Sequence, residues 1–155
     1  MTMAGQQIAP VVKSRVVPIE PEQAFELFTT RAGEWWPVAT HSIAKGGVVG
    51  LRFESFVGGR FVELTADGEE HLWGEVLTWD PPYAFSMTWY PSLRPIASSI
   101  LEVRFAATEG GTEVVLVHDG WEAFGDEGAA RRSAYDSGWD LVLAPYEAAA
   151  VDSAG

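Results

Sequence analysis

The chain has 155 residues, 47% of them hydrophobic and 12% aromatic, and its 22 acidic and 10 basic residues give a formal net charge of −12. Scattered cations in an acidic excess are poorly placed to neutralise a phosphate backbone, which makes nucleic acid and anionic membrane poor candidate partners. The absence of cysteine excludes disulfides, thiolate metal sites and a cysteine nucleophile.

The opening "MTMAGQQIAP" lacks a basic and then apolar leader, and no run of about 18 apolar residues follows, so neither a signal peptide nor a membrane span is expected. A cytoplasmic location is the expectation. Residues 1–9 and 151–155 read as flexible ends of one domain whose core is about 11–150. Val-rich 11–19 reads as a strand. Residues 20–30 switch to helical spacing: Pro21 suits a first helical position, Glu22 the positive end of the dipole, and Ala24, Phe25 and Phe28 share a face. "GEWWPVATHSIAKGG" (33–47) is irregular, or holds a short second helix before Pro37. Alternation then predicts strands over 48–55, 60–66, 71–80 and 83–90, with Val49, Leu51 and Phe53 on one face. Asp67-Gly68 turns one hairpin and Pro81-Pro82 ends its return strand. A loop at 91–95, two strands (98–107 and 112–120) joined through Glu109-Gly110-Gly111, and a Gly-rich acidic segment follow. The last helix spans about 129–151, with Tyr135, Trp139, Val142 and Tyr146 on one face and a bend or restart expected at Pro145. One strand, a helix, about six more strands and a long helix make an α+β fold with an antiparallel sheet covered by the final helix.

The residues that carry chemistry are mostly aromatic. Trp35, Trp36, Phe53, Phe61, Trp73, Trp89 and Trp139 converge on the space between sheet and helix, as a large core or as the wall of an apolar pocket. On 71–79, one face carries His71, Trp73, Glu75, Leu77 and Trp79 and the other Leu72, Gly74, Val76 and Thr78; alternation does not say which lines the concave side. The same holds for Val114, Leu116 and His118 against Val115, Val117 and Asp119. The three histidines, His41, His71 and His118, show no metal-ligand spacing, so no metal site and no cofactor are expected. His118 reads as a polar group at a cavity mouth and His41 as a loop residue bonded to backbone. Glu63 is expected to pair with Arg60 or Arg52 across strands, in preference to acid–base work with Glu54 or Glu75. The glycines of "FGDEGAARR" read as a gate beside the last helix or as a solvated loop.

In combination and order, Trp35-Trp36-Pro37, Gly58-Gly59, Trp73-Gly74-Glu75-Val76, Asp80-Pro81-Pro82, Trp89, His118-Asp119-Gly120-Trp121 and Gly138-Trp139 resemble the SRPBCC (START/Bet v 1-like) superfamily. Within it the chain is similar, over about 11–150, to the group named after the activator of Hsp90 ATPase homologue. The resemblance implies a helix-grip fold: a curved antiparallel sheet around a long C-terminal helix, two short helices after the first strand, and a cavity for an apolar ligand. Glu20, where the family has Ser or Asp, and Pro145 depart from its pattern. The function expected first is non-enzymatic binding of a small hydrophobic, aromatic or lipid-like ligand, with Trp35, Trp36, Phe53, Phe61, Trp73, Trp89, His118, Tyr135 and Trp139 as candidate contacts. The alternatives implied are a co-chaperone-like module that binds a protein partner, and a cyclase-like enzyme using the same cavity; no catalytic residue set marks the latter. An exposed sheet edge leaves a homodimer open.

Overall fold

The structure, a computed structural model, describes residues 8–91 and 97–154. Of the expected frayed start only Ile8 and Ala9, and of the expected loop 91–95 only Pro91, lie within them. Seven antiparallel strands form one sheet in the order β1-β7-β6-β5-β4-β3-β2: β1 Val11–Val17, β2 Val48–Phe53, β3 Arg60–Thr65, β4 Glu70–Asp80, β5 Ala84–Trp89, β6 Ser99–Thr108 and β7 Gly111–Asp119. Helix α1 (Pro21–Phe28) and short 3-10 turns at Ala32–Glu34 and Lys45–Gly47 connect β1 to β2, and α2 (Gly128–Ala154) closes the grip. This is the α+β helix-grip arrangement.

The run after β1 is sequential because each strand returns beside its predecessor, as short hairpin connections require. The β3–β4 turn is built on Gly68, whose φ of 89° suits glycine. Glu20 caps α1 despite its unusual identity: its backbone N–H donates to Gln23 Oε1 at 3.3 Å, one arm of a capping box. Helix α2 runs through Pro145 without a break and carries on to Ala154. It is tied to the edge strand by Lys13 to Asp136 and Asp140 and by Arg15 to Asp140 and Glu147.

Simple alternation fails where the sheet bulges. On β4 the register shifts twice, past Trp73 against β3 and past Leu77 against β5. Each extra residue flips the face, so Trp73 and Val76 are both buried three residues apart while Leu77 turns out to solvent. Neither predicted face of 71–79 lines the concave side alone. A third bulge puts Val49 outward, 69% exposed, away from Leu51 and Phe53. On β7 no bulge intervenes, and Val114, Leu116 and His118 face in.

The first bulge leaves Gly74 against the next strand: a Cβ there would lie 1.8 Å from the Thr88 carbonyl oxygen. Gly74→Ala is therefore expected to cost about 1–3 kcal/mol by prying β4 from β5, measurable as a lower urea midpoint with an unchanged slope.

The sheet–helix space has two ends. At the α1 end it is filled by rings: Phe28 lies 5.1 Å from Tyr146, Phe25 5.1 Å from Phe105, and Trp35 5.1 Å from Tyr146. The buried Tyr146 hydroxyl donates to the Ala24 carbonyl at 2.9 Å, joining α2 to α1. The other end, between the start of β4, the end of β5 and the first half of α2, is not filled.

Candidate functional site

That end holds a cavity of about 310 Å³. Trp36, Trp73, Trp89, Tyr135, Trp139 and Val142 supply its apolar wall, and Thr40, His41, Ser42 and Lys45 its polar side. Trp36 and Trp73 are 5.1 Å apart, and Trp89 and Trp139 5.4 Å, centre to centre. Of the nine candidate contacts named from sequence, Trp36, Trp73, Trp89, Tyr135 and Trp139 line this space. Trp35 faces the other way: its indole donates to the Leu27 carbonyl at 2.7 Å and packs on Phe28 and Tyr146. The adjacent tryptophans thus divide between core and cavity while their rings stay packed on each other, 5.3 Å apart centre to centre. Phe61 and Phe53 stand behind the wall, Phe61 4.8 Å from Trp73 and Phe53 4.9 Å from Phe61.

His118 is not at a cavity mouth. It is fully buried behind Trp139. Trp139 Nε1 donates to His118 Nδ1 at 2.9 Å, and an indole nitrogen is a donor only, so the imidazole proton sits on Nε2. From there it donates to Ser99 Oγ at 2.6 Å, and Ser99 donates to the Trp89 carbonyl at 3.0 Å. Burial pushes the imidazole down to about 3, so it is neutral at physiological pH. It holds Trp139 and the end of β5 in place.

Glu63 departs most from expectation. Arg52 and Arg60 do not reach it; they pair with Glu54, and Arg52 also with Glu70 at 3.0 Å. Glu63 points inward, fully buried, and accepts four hydrogen bonds: Ile43 N–H and Trp73 Nε1–H on Oε1, both at 2.7 Å, and Ala44 N–H at 2.7 Å and His71 Nδ1 at 3.0 Å on Oε2. Burial disfavours the charge, but these donors together hold the carboxyl below the ordinary carboxylate range. The bond to Glu63 in turn raises His71, against some burial and with help from Glu69. The carboxylate thereby staples the 36–45 loop to the sheet. The loop needs the hold: Lys45 adopts a φ of 49°, a conformation that costs a non-glycine residue about 1–3 kcal/mol. Ser42 Oγ, accepting from Lys45 N–H at 2.8 Å, and Trp36 Nε1, donating to the His41 carbonyl at 2.8 Å, complete the brace. His41 itself bonds through Nδ1 to Thr40 Oγ1 at 2.7 Å.

Five indole N–H groups therefore have acceptors: those of Trp35, Trp36, Trp73, Trp121 and Trp139. That of Trp89 does not. It is buried, on a residue that is 3% exposed, and has no hydrogen-bond partner among the described residues. Burial raises the Tyr135 hydroxyl, and the Trp89 indole and the charge of Arg131 pull it back. The Gly-rich segment, read as a gate or as a solvated loop, is a 3-10 turn, Trp121–Glu127, leading into α2, and none of it lines the cavity. Among the described residues, no group of three His, Asp or Glu could hold a metal ion, and no helix is long and apolar enough to cross a membrane.

Sequence reasoning missed Thr40, Ser42, Lys45 and Gly138 as lining residues and Glu63 as the staple. The polar loop carried no periodicity, and Glu63 looked like any acidic residue on a solvent-facing strand.

Comparison with known proteins gives the context. A structure of an anthrahydroquino-γ-pyrone synthase, Txn09, is 37% identical, covering 84% of this chain and 88% of that one at a TM-score of 0.58. Protein MLL2253 from Mesorhizobium loti is 20% identical over 94% of this chain and 98% of its own, with a TM-score of 0.66. CalU16 from Micromonospora echinospora is 16% identical over 86% and 71%, with a TM-score of 0.58. No curated protein matches the sequence. The family model described as Activator of Hsp90 ATPase homolog 1-like protein matches residues 18–148. The chain belongs to the Activator of Hsp90 ATPase homolog 1-like family, in the SRPBCC superfamily whose helix-grip fold it carries.

Proposed function

We propose that the chain binds a small, planar aromatic molecule in the cavity between the sheet and the first half of α2. The observation that carries this reading is the wall: four indoles, Trp36, Trp73, Trp89 and Trp139, surround one space of about 310 Å³. That is the low end of the roughly 300–1,000 Å³ range of small-molecule sites, so a compact ring system suits it. Indole faces stack on flat rings in offset or edge geometry, and the hydroxyls, imidazole and ammonium of the 40–45 loop orient a polar substituent. The 37% identical relative supports the reading, because its name specifies a fused-ring aromatic product.

Tryptophan fluorescence is the direct test. Anthraquinone-2-sulfonate is expected to quench it saturably, with one site per chain. Gly138→Phe supplies the control: Gly138 lines the cavity and a Cβ there meets nothing within 4 Å. The added ring plugs the space while the helix gains propensity, by about 0.5 kcal/mol. Binding is expected to weaken at least tenfold with no loss of thermal stability. Linear, non-saturating quenching in the parent chain, or unchanged affinity in Gly138→Phe, would refute cavity binding.

The same relative favours a second reading, catalysis of a ring-forming step on such a ligand. His41, Lys45 and Tyr135 are the cavity-lining side chains able to move a proton. Mass spectrometry of a bound aromatic polyketide decides it: a new product that His41→Ala fails to make supports catalysis, and unchanged recovered ligand supports binding alone.

A further inference from the structure

Lys45 brings a full charge to the lining of the cavity, and no group of the protein pairs with it among the described residues. Nine of the ten Lys and Arg residues are described. Seven of those nine pair with a carboxylate, and Arg132 donates to the Ala9 and Pro10 carbonyls at 2.8 and 3.0 Å. Lys45 alone is left over, in a chain with 22 acidic residues to 10 basic ones. No carboxylate lines the cavity among the described residues. Glu63, which staples this loop, is buried and already accepts four hydrogen bonds. The neighbouring hydroxyls are committed as well. Ser42 Oγ donates to the Val38 carbonyl at 2.5 Å, and the Thr40 hydroxyl lies between the Pro37 carbonyl at 3.3 Å and His41 Nδ1 at 2.7 Å. The backbone singles out the same residue. Lys45 is the one non-glycine residue with a positive φ among the described residues, although Gly46 and Gly47 follow it and would take that conformation freely. Strain of this kind collects at ligand clamps, where a side chain has to be placed. Here the Ile43 and Ala44 N–H groups on Glu63, and the Lys45 N–H on Ser42, do the placing.

We infer that the ligand is an anion: its aromatic frame lies among the indoles, and an oxyanion, a carboxylate in the simplest case, reaches the rim of the cavity to pair with the exposed Lys45 ammonium. This rests on the cavity-binding reading above and narrows it from planar aromatic molecules to aromatic acids. The net charge of −12 repels such a ligand from most of the surface. At this rim an unpaired cation, in a lining without carboxylates, reverses the local sign. An ammonium has three donors and no acceptor, and a charged acceptor makes the stronger bond with it than a neutral one.

The test uses a matched pair, anthracene-2-carboxylate and anthracene-2-carboxamide, which share an outline and differ in charge. Their affinities are measured by calorimetry for the parent chain, Lys45→Gly, Lys45→Arg and Arg104→Gln. Glycine suits the φ of 49°, so Lys45→Gly removes the ammonium and is expected to melt no lower than the parent chain. Should it fail to fold, Lys45→Gln is read in its place. The ratio of carboxylate to carboxamide affinity is expected to fall about threefold to fivefold in Lys45→Gly, the upper part of what an exposed ion pair contributes, and to hold in Lys45→Arg. Arg104→Gln removes a positive charge from the exposed face of β6, where Arg104 pairs with Glu102. It is expected to leave the ratio unchanged, because solvent and salt screen a charge there. A parent chain that takes the carboxamide and refuses the carboxylate, a ratio unmoved in Lys45→Gly, or an equal fall in Lys45→Gly and Arg104→Gln would each overturn the anion inference while cavity binding stands. If neither ligand binds the parent chain, cavity binding fails and the inference with it.

Discussion

Replacing Glu63 is expected to release the 36–45 loop, in a graded way that follows from counting acceptors. Glu63→Leu removes all four acceptor contacts. It leaves the Ile43 and Ala44 N–H groups, the Trp73 indole and one face of His71 unpaired. Each buried N–H donor so stranded costs about 1–3 kcal/mol, and the Ile43, Ala44 and Trp73 groups are stranded together. Glu63→Gln keeps the shape and one oxygen. Its amide NH2 must face donors on one side. The less costly side is that of His71, because a neutral imidazole can turn an acceptor toward it, whereas Ile43 N–H and Trp73 Nε1–H cannot. Only the Ala44 N–H is then orphaned, at about 1–3 kcal/mol. The expected order of stability by urea denaturation is parent, Glu63→Gln, Glu63→Leu.

The same staple has a pH signature. Glu63 is lowered in the folded state, so its contribution is present above its unfolded value, near 4.5, and is lost as pH falls through the lower folded value. His71 is raised, so its contribution is complete below its unfolded value, near 6.5, and is lost as pH rises through the higher folded one. The brace is strongest between those two unfolded values. An NMR titration is expected to find His71 above the usual imidazole range in the parent chain and back near it in both variants. A His71 that titrates identically in all three would show that Glu63 does not hold it.

The order of elements was legible because each is written locally: Val runs and alternation for strands, Pro21 and the Phe25–Phe28 spacing for α1, turn glycines for the hairpins. The bulges were not. Nothing in Glu70–Asp80 marks Trp73 or Leu77 as the extra residue, because a bulge is settled by how the two neighbouring strands meet it. The aromatic wall was legible as a set and not by member, since a tryptophan that lines a cavity and one that fills a core have the same composition and often the same neighbours. Glu63 and His118 were misjudged for one reason: a polar residue on a strand was assigned to solvent or to a mouth, when the fold supplied each with enough partners to bury it.

His118 gives the second large effect, visible mainly in acid. With a folded value of about 3 and an unfolded one near 6.5, the unfolded chain binds a proton that the native chain refuses throughout that interval. Stability therefore rises with pH there, by about 1.4 kcal/mol per unit from this group alone. It is fully present above about 6.5 and is lost as pH falls toward the folded value. Summed across the window, the loss is on the order of 5 kcal/mol, against a total stability of about 5–15 kcal/mol for a domain of this kind. His118→Gln isolates the term. Its amide can still accept from Trp139 and donate to Ser99, with poorer geometry, so it is expected to cost about 1–3 kcal/mol at pH 7.5. Having no proton to gain, it shows a flatter acid limb, and the two stability curves are expected to cross between pH 6.5 and 3. Other carboxylates weaken both chains alike below about pH 4.5, so the difference between the curves reports His118. Curves that stay parallel from pH 7.5 to 4 would mean that the imidazole protonates in place, and that the Trp139–His118–Ser99 chain is not what fixes the wall of the cavity.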